Sequence, residues 1–147
     1  MISHSIEDTK KIAEIFVKDV MTHGVKKRAT LVGFYGDLGS GKTTFIQNAA
    51  HELGVIEDVT SPTFIIERIY KTKNPVFKTL IHIDAYRLDS GEDLKKLGFE
   101  EILKNPDALI FIEWPERVIE ILPEHIRVNC GFVSESKRSY EIIFNDQ

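Results

Sequence analysis

The residues of this chain best suited to chemistry lie together in Gly36-Asp-Leu-Gly-Ser-Gly41-Lys42-Thr43. The run matches G-x-x-x-x-G-K-[ST] in full, the pattern of a turn that wraps phosphate groups. Glycine tolerates positive φ, and its missing Cβ lets oxygen atoms approach the backbone. The turn opens onto a predicted helix, whose first N–H groups have no partner within the helix and favour an anion. The cradle expected from this pattern is Gly36, Asp37, Leu38, Gly39, Ser40, Gly41, Lys42, Thr43 and Thr44, with the amides from about Gly39 onward as donors. Lys42 supplies a charge to the β- and γ-phosphates, and the Thr43 hydroxyl is placed to ligate Mg²⁺. The ligands implied are a nucleoside triphosphate and Mg²⁺.

Such a site needs a carboxylate near the metal, usually at the end of a neighbouring apolar strand. Glu113 closes the run Ala108-Leu-Ile-Phe-Ile112, and Asp84 closes the run ending Ile81-His82-Ile83. Glu113 follows the purer apolar run and is assigned to the metal. Asp84 then orients or deprotonates the attacking water. On sequence alone the two roles are interchangeable. The loop Thr60-Ser61-Pro62-Thr63 offers hydroxyls to the γ-phosphate or metal, and Thr63 is taken as a catalytic candidate in a switch-like segment. His82 reads as a strand-end histidine rather than a base. Trp114 reads as a packing residue or a partner contact. Arg87, Lys137 and Arg138 are further cations that could meet phosphate.

The elements that must position these groups follow from periodicity. Ile12, Phe16 and Val20, joined by Ile15, recur at helical spacing over residues 5–22, with Ser5 and Asp8 placed as a capping box and Gly24 as the stop. Residues 29–35 and 108–112 are short apolar runs suited to strands buried on both faces. Residues 42–53 read as a helix closed by Gly54. Residues 64–71 and 76–83 flank Lys73-Asn74-Pro75 as an antiparallel hairpin. Short helices are expected at 91–97, at 99–104 and between Pro115 and Pro123, and a closing strand pair at 125–130 and 139–144. Strands interleaved with helices give an α/β fold: a single P-loop NTPase domain over residues 1–147, with a mixed, mostly parallel sheet, flanking helices and an antiparallel hairpin.

Composition narrows the function classes. The 147 residues are 42% hydrophobic and 29% charged, which supports one globular core rather than a disordered chain. The formal charge of −4 argues against a dedicated nucleic-acid binder. One cysteine, Cys130, excludes an internal disulfide framework. No apolar run approaches the ~20 residues of a membrane span, and Met-Ile-Ser-His-Ser-Ile-Glu-Asp lacks the basic and apolar regions of a secretory signal. The expectation is a soluble, cytoplasmic, single-domain protein with no membrane contact.

Beyond the phosphate cradle, Thr60-Ser-Pro-Thr-Phe64, His82-Ile-Asp84-Ala-Tyr-Arg-Leu88 and Ile112-Glu113-Trp114-Pro115-Glu116 occur in this order. Together they resemble the bacterial TsaE family, ATPases that take part in making threonylcarbamoyladenosine in tRNA, and the likeness extends over nearly the whole chain. The resemblance implies that Lys42 and its neighbouring amides hold the triphosphate, that Thr43 and Glu113 hold Mg²⁺, and that Asp84 is needed for hydrolysis. It implies that Thr63 lies in the switch-like loop, and that Thr9 and Lys137 approach the base or sugar. It further implies two partners from the actin-like ATPase superfamily, which form the threonylcarbamoyl-transferring complex. ATP hydrolysis would reset that complex, with tRNA engaged only indirectly.

Other classes fit less well. A small-molecule kinase needs an acceptor site and an Arg-bearing lid, and residues 85–107 are its only room, with Arg87 as the sole arginine. A GTP-dependent switch lacks an Asn-Lys-x-Asp element after the second acid. A non-catalytic nucleotide module differs only in the absence of turnover, and no arginine finger is evident in cis.

Overall fold

The apolar runs of the sequence become the middle of one sheet. The computed structural model describes residues 1–24, 27–37, 39–59 and 66–144. The strands are β1 (Ile2–Ser3), β2 (Thr30–Tyr35), β3 (Glu67–Lys71), β4 (Thr79–Asp84), β5 (Ala108–Glu113), β6 (Ile126–Ser134) and β7 (Lys137–Ile143). The helices are α1 (Ile6–His23), α2 (Lys42–Glu52), α3 (Gly91–Lys95) and α4 (Phe99–Leu103), with a 3₁₀ segment at Pro115–Ile121.

The spatial order is β1-β7-β6-β2-β5-β4-β3. The central four strands, β6, β2, β5 and β4, run parallel. Outside them, β3 pairs antiparallel with β4, β7 with β6, and the short edge strand β1 with β7. This is the mixed, mostly parallel sheet expected from the sequence. Parallel strands need covered faces, and here helices cover both. On one face α1 and α2 bury Phe16, Phe45 and Ile46 against Phe34, Phe111 and Val128 of the sheet. Rings of Phe16 and Phe45 lie 5.2 Å apart and those of Phe34 and Phe111 5.1 Å apart, both edge-to-face, the arrangement favoured by aromatic quadrupoles. On the other face Leu94, Phe99 and Val118 pack on Leu31, Ile81, Ile83, Ile110 and Ile112.

Register then decides where the acids fall. Asp84 stands opposite Glu113, and Phe34 opposite Glu113 on the other side. Side chains alternate along a strand, so His82, Asp84 and Glu113 share the face of Leu80, Phe111 and Phe34, the face covered by α2. The phosphate turn leaves β2 at this same end. Both acids and the cradle therefore meet at the carboxyl ends of adjacent parallel strands, where ligands of open α/β sheets bind.

Several local expectations change. Ile15 is 49% exposed, because the buried stripe of α1 runs through Ile12, Ala13, Phe16, Val17 and Val20 and leaves Ile15 on the far side. Ser5 caps α1 by accepting from the Asp8 amide at 3.1 Å, but the Asp8 carboxylate accepts from the His4 amide rather than from that of Ser5. Gly24 ends α1 with φ −64° rather than in the left-handed region; its need for glycine is spatial, since a Cβ would crowd the Val20 carbonyl, Phe77 and Thr30. Strand β1 had no signal in the sequence. It exists because the Tyr140 amide reaches the Met1 carbonyl at 2.8 Å and β7 offers an open edge. Among the described residues no helix is long and apolar enough to cross a membrane.

Candidate functional site

A cavity of about 620 Å³ opens at this end of the sheet. That is within the usual range for a small-molecule site. The phosphate turn and the first turn of α2 form its floor, and Asp84, Glu113 and Trp114 one wall. Residues from the start of α1 and from β7 form the opposite rim.

The turn is built by its glycines at two places. Gly36 has φ +141°, and a Cβ there would press on the Cys130 carbonyl and the Ser40 hydroxyl. Gly41 has φ +95°, and a Cβ there would strike the Tyr140 hydroxyl. Gly41 is the N-cap of α2 and no side chain caps the helix, so the first amides of α2 are left to the cavity. Tyr140, which also lines the cavity, holds the turn from β7, its hydroxyl donating to the Gly41 carbonyl at 3.2 Å. The cavity is lined by Asp37, Gly39, Ser40, Gly41, Lys42, Thr43 and Thr44 of the expected cradle, while Gly36 sits behind it. Leu38 lies outside the described residues.

Lys42 is only 5% exposed. Its Nζ donates to the Gly36 carbonyl at 2.6 Å and lies 3.7 Å from the centroid of the Trp114 ring. Burial pulls its pKa below the ordinary lysine value, opposed chiefly by the charges of Glu113 and Glu116. Trp114 is half-buried and has φ +57°, uncommon for a non-glycine residue. It follows Glu113 directly, so the left-handed turn ends β5 there and folds the indole back over the lysine. Tyr86 also packs against the indole in a tilted arrangement, with ring centroids 5.0 Å apart. Trp114 thus packs on the second core cluster, as read from the sequence, and is also a wall of the site.

The two acids differ. Glu113 is 3% exposed, and its Oε2 is 2.7 Å from His82 Nε2, itself fully buried. Asp84 is half-buried, and its Oδ1 accepts from the Tyr86 amide at 3.0 Å. Burial raises the Asp84 carboxyl above the usual range; the Glu113 charge adds to this, while the Tyr86 amide, His82 and Lys42 oppose it. A hydroxyl from Thr43 and a carboxylate from Glu113 on one cavity are hard oxygen donors of the kind Mg²⁺ takes alongside phosphate oxygens and water.

At the rim, Thr9 is buried, shares a 2.5 Å hydrogen bond with Ser3 Oγ, and faces the cavity. Lys137 is exposed and is not among the cavity-lining residues; its neighbour Arg138 is. Strand parity is the reason: Arg138 shares a face of β7 with Tyr140, and Lys137 points the other way. The guanidinium of Arg138 lies 4.7 Å from the Phe132 ring centroid, and its Nη1 donates to the Ser134 carbonyl at 2.6 Å. Thr63 and the Thr60-Ser-Pro-Thr-Phe64 segment lie outside the described residues. Tyr140, between polar Ser139 and Glu141, carried no local signal in the sequence, and the pairing of His82 with Glu113 depends on strand register.

Against known proteins, the family model described as threonylcarbamoyl adenosine biosynthesis protein TsaE matches residues 3–140. A relative from Rickettsia felis, called a tRNA threonylcarbamoyladenosine biosynthesis protein TsaE, is 39% identical over 99% of this chain and 80% of its own. One of the same name from Treponema pallidum is 34% identical over 96% of this chain and 97% of its own. Among solved structures, the crystal structure of Bacillus subtilis YdiB superposes with a TM-score of 0.66 at 26% identity, covering 95% of this chain and 80% of that one.

Proposed function

This chain belongs to the TsaE family, whose members take part in tRNA threonylcarbamoyladenosine biosynthesis, and on that premise we propose that it binds and hydrolyses MgATP in service of the complex that carries out this modification. One observation carries the reading. Lys42, Thr43, Asp84 and Glu113, spread over three adjacent strand ends, converge on a single cavity with the amides of the phosphate turn.

The chemistry assigned to each follows from its surroundings. The turn amides and Lys42 receive the triphosphate tail; to do so the ammonium exchanges the Gly36 carbonyl for phosphate oxygen. Thr43 and Glu113 hold Mg²⁺, which when bound neutralises charge on the transferring phosphoryl group. Asp84 stands beside Glu113, and its raised pKa makes it a stronger base than an ordinary carboxylate, suited to orienting water and taking its proton. Thr9 and Arg138, which line the rim of the cavity, are assigned to the base or sugar; Lys137 is retained on the family resemblance alone. Thr63 is retained as a switch residue on the strength of the family motif alone.

Transfer to a small-molecule acceptor is the weaker reading. It would need room within residues 85–107, and Leu88, Leu94 and Phe99 of that segment are core.

The partners proposed are the two actin-like-superfamily proteins of the threonylcarbamoyl-transferring complex, with tRNA contacted only through them and the whole acting in the cytoplasm. Reconstitution tests this. Calorimetry should register MgATP binding that Lys42→Ala weakens, and ATP should promote assembly with the partner pair and sustain tRNA modification. No heat with any triphosphate, or full modification with Lys42→Ala, refutes the proposal.

A further inference from the structure

Among the described residues, the Glu113 carboxylate has one hydrogen-bond partner, and it is a histidine from another strand. His82 stands opposite Phe111 across the β4–β5 ladder. Two residues further along β5, on the same face, is Glu113. The diagonal brings His82 Nε2 to 2.7 Å from Glu113 Oε2, with His82 fully buried and Glu113 3% exposed. A carboxylate oxygen only accepts, so with Glu113 ionised it is Nε2 that carries the proton and donates. The other ring nitrogen, Nδ1, is buried and has no partner among the described residues.

We propose that His82 is a positioning residue for the metal: its Nε2–H pins one oxygen of Glu113 and leaves the other to the cavity that Glu113 lines. The inference rests on the assignment of Glu113 to Mg²⁺. A glutamate has three rotatable bonds, and ordering it for a cation costs entropy. A buried donor at a fixed place on a neighbouring strand meets that cost during folding, before any cation arrives. Partners of this kind behind a ligating carboxylate orient it, and their loss lowers metal affinity. His82 touches no substrate. Its influence passes wholly through Glu113, so it should act on the metal term of nucleotide binding and not on the phosphate cradle.

The experiment compares wild type, His82→Leu and His82→Gln, measuring ATP affinity by calorimetry in EDTA and the Mg²⁺ concentration that restores full MgATP affinity. Glutamine carries an amide N–H near the position of imidazole Nε2, whereas leucine fills space and donates nothing. His82→Leu is expected to need about 10- to 100-fold more Mg²⁺, with ATP affinity in EDTA little changed, and His82→Gln to recover most of the loss. A role in packing alone predicts instead a lower melting temperature and equal losses with and without Mg²⁺. Equal Mg²⁺ requirements for folded His82→Leu and wild type overturn the inference, as do equal losses for the leucine and glutamine variants. Should His82→Leu fail to fold, the wild-type protein supplies its own readout: the Nε2 proton should appear in NMR as a slowly exchanging downfield signal that moves when Mg²⁺ joins the ATP complex. A signal indifferent to Mg²⁺, or none, overturns the proposal. Failure of the underlying metal assignment looks different, because Glu113→Gln would then leave the Mg²⁺ requirement of wild type unchanged.

Discussion

Lys42 Nζ lies 3.7 Å from the centroid of the Trp114 ring, so the charge central to the phosphate turn rests on the face of an indole. A cation in this position is attracted by the ring quadrupole. It is also held by the Gly36 carbonyl at 2.6 Å. Under the proposed function, a triphosphate would draw the ammonium away from both.

The indole therefore reports on the lysine. Trp114 is the one tryptophan of the chain, so its emission is unambiguous. Titration with MgATP should change that emission saturably. In Lys42→Ala the binding curve should move to higher nucleotide by roughly 10- to 150-fold, the loss of a hydrogen bond to a charged group. Fluorescence unaltered by saturating MgATP in wild type would contradict the geometry assigned to the bound state.

Asp84 should separate turnover from binding. Asp84→Asn keeps the shape and removes the base, so ATP affinity should hold while turnover falls about 10²- to 10⁴-fold. Because burial raises the Asp84 carboxyl, the acid limb of the turnover profile should lie above the pH of an ordinary carboxylate. If instead Asp84→Asn abolishes binding and Glu113→Gln merely slows turnover, the roles of the two acids are exchanged.

The same raised pKa has a consequence for stability. A carboxyl that binds its proton more tightly when folded contributes most below its unfolded pKa, and that contribution disappears as pH rises through the folded value. At neutral pH the buried charge is a liability. Asp84→Asn should thus raise the melting temperature at pH 7 and have little effect near pH 3. A lower melting temperature at pH 7 would show that the Asp84 carboxylate is needed for folding rather than strained by it.

Two glycines of the turn should tolerate substitution differently. Gly39 has φ +79° and open space around its Cβ position. Alanine there meets only backbone strain of about 1–2 kcal/mol. Gly41 has φ +95° and the Tyr140 hydroxyl in the way, so Gly41→Ala must shift either the turn or β7. MgATP affinity should fall much further for Gly41→Ala than for Gly39→Ala. The reverse order would contradict the position of Tyr140.

Cys130 should be inert to thiol reagents. Burial pushes its pKa up to about 12, and Glu113 adds to this against the opposing charge of Lys42. The thiolate is the reactive form, so labelling by an aromatic disulfide at pH 8 should wait on unfolding. Stoichiometric labelling of the native protein within seconds would show that the floor beneath the turn is open.

The cradle was legible because its information is local. Eight consecutive residues state the turn, the lysine and the hydroxyl, and the strands before Asp84 and Glu113 end where their apolar runs end. The residues chosen from the sequence do line the cavity wherever they are described, except Gly36, which shapes the turn from behind, and Lys137. What eluded the sequence was set by relations between strands. Arg138 rather than Lys137 faces the site through the parity of β7, and Ile15 is exposed because α1 settles on the sheet along a different stripe. Two-residue β1 exists only because an edge was open beside it. His82 and Glu113 are 31 residues apart, and no spacing rule connects them. They meet because hydrogen bonding aligned β4 with β5 in one register, and a slip of one residue would have turned either side chain to the opposite face. Chemistry carried by neighbours along the chain is written in the sequence; chemistry that depends on which strands pair, and in what register, waits for the whole sheet to form.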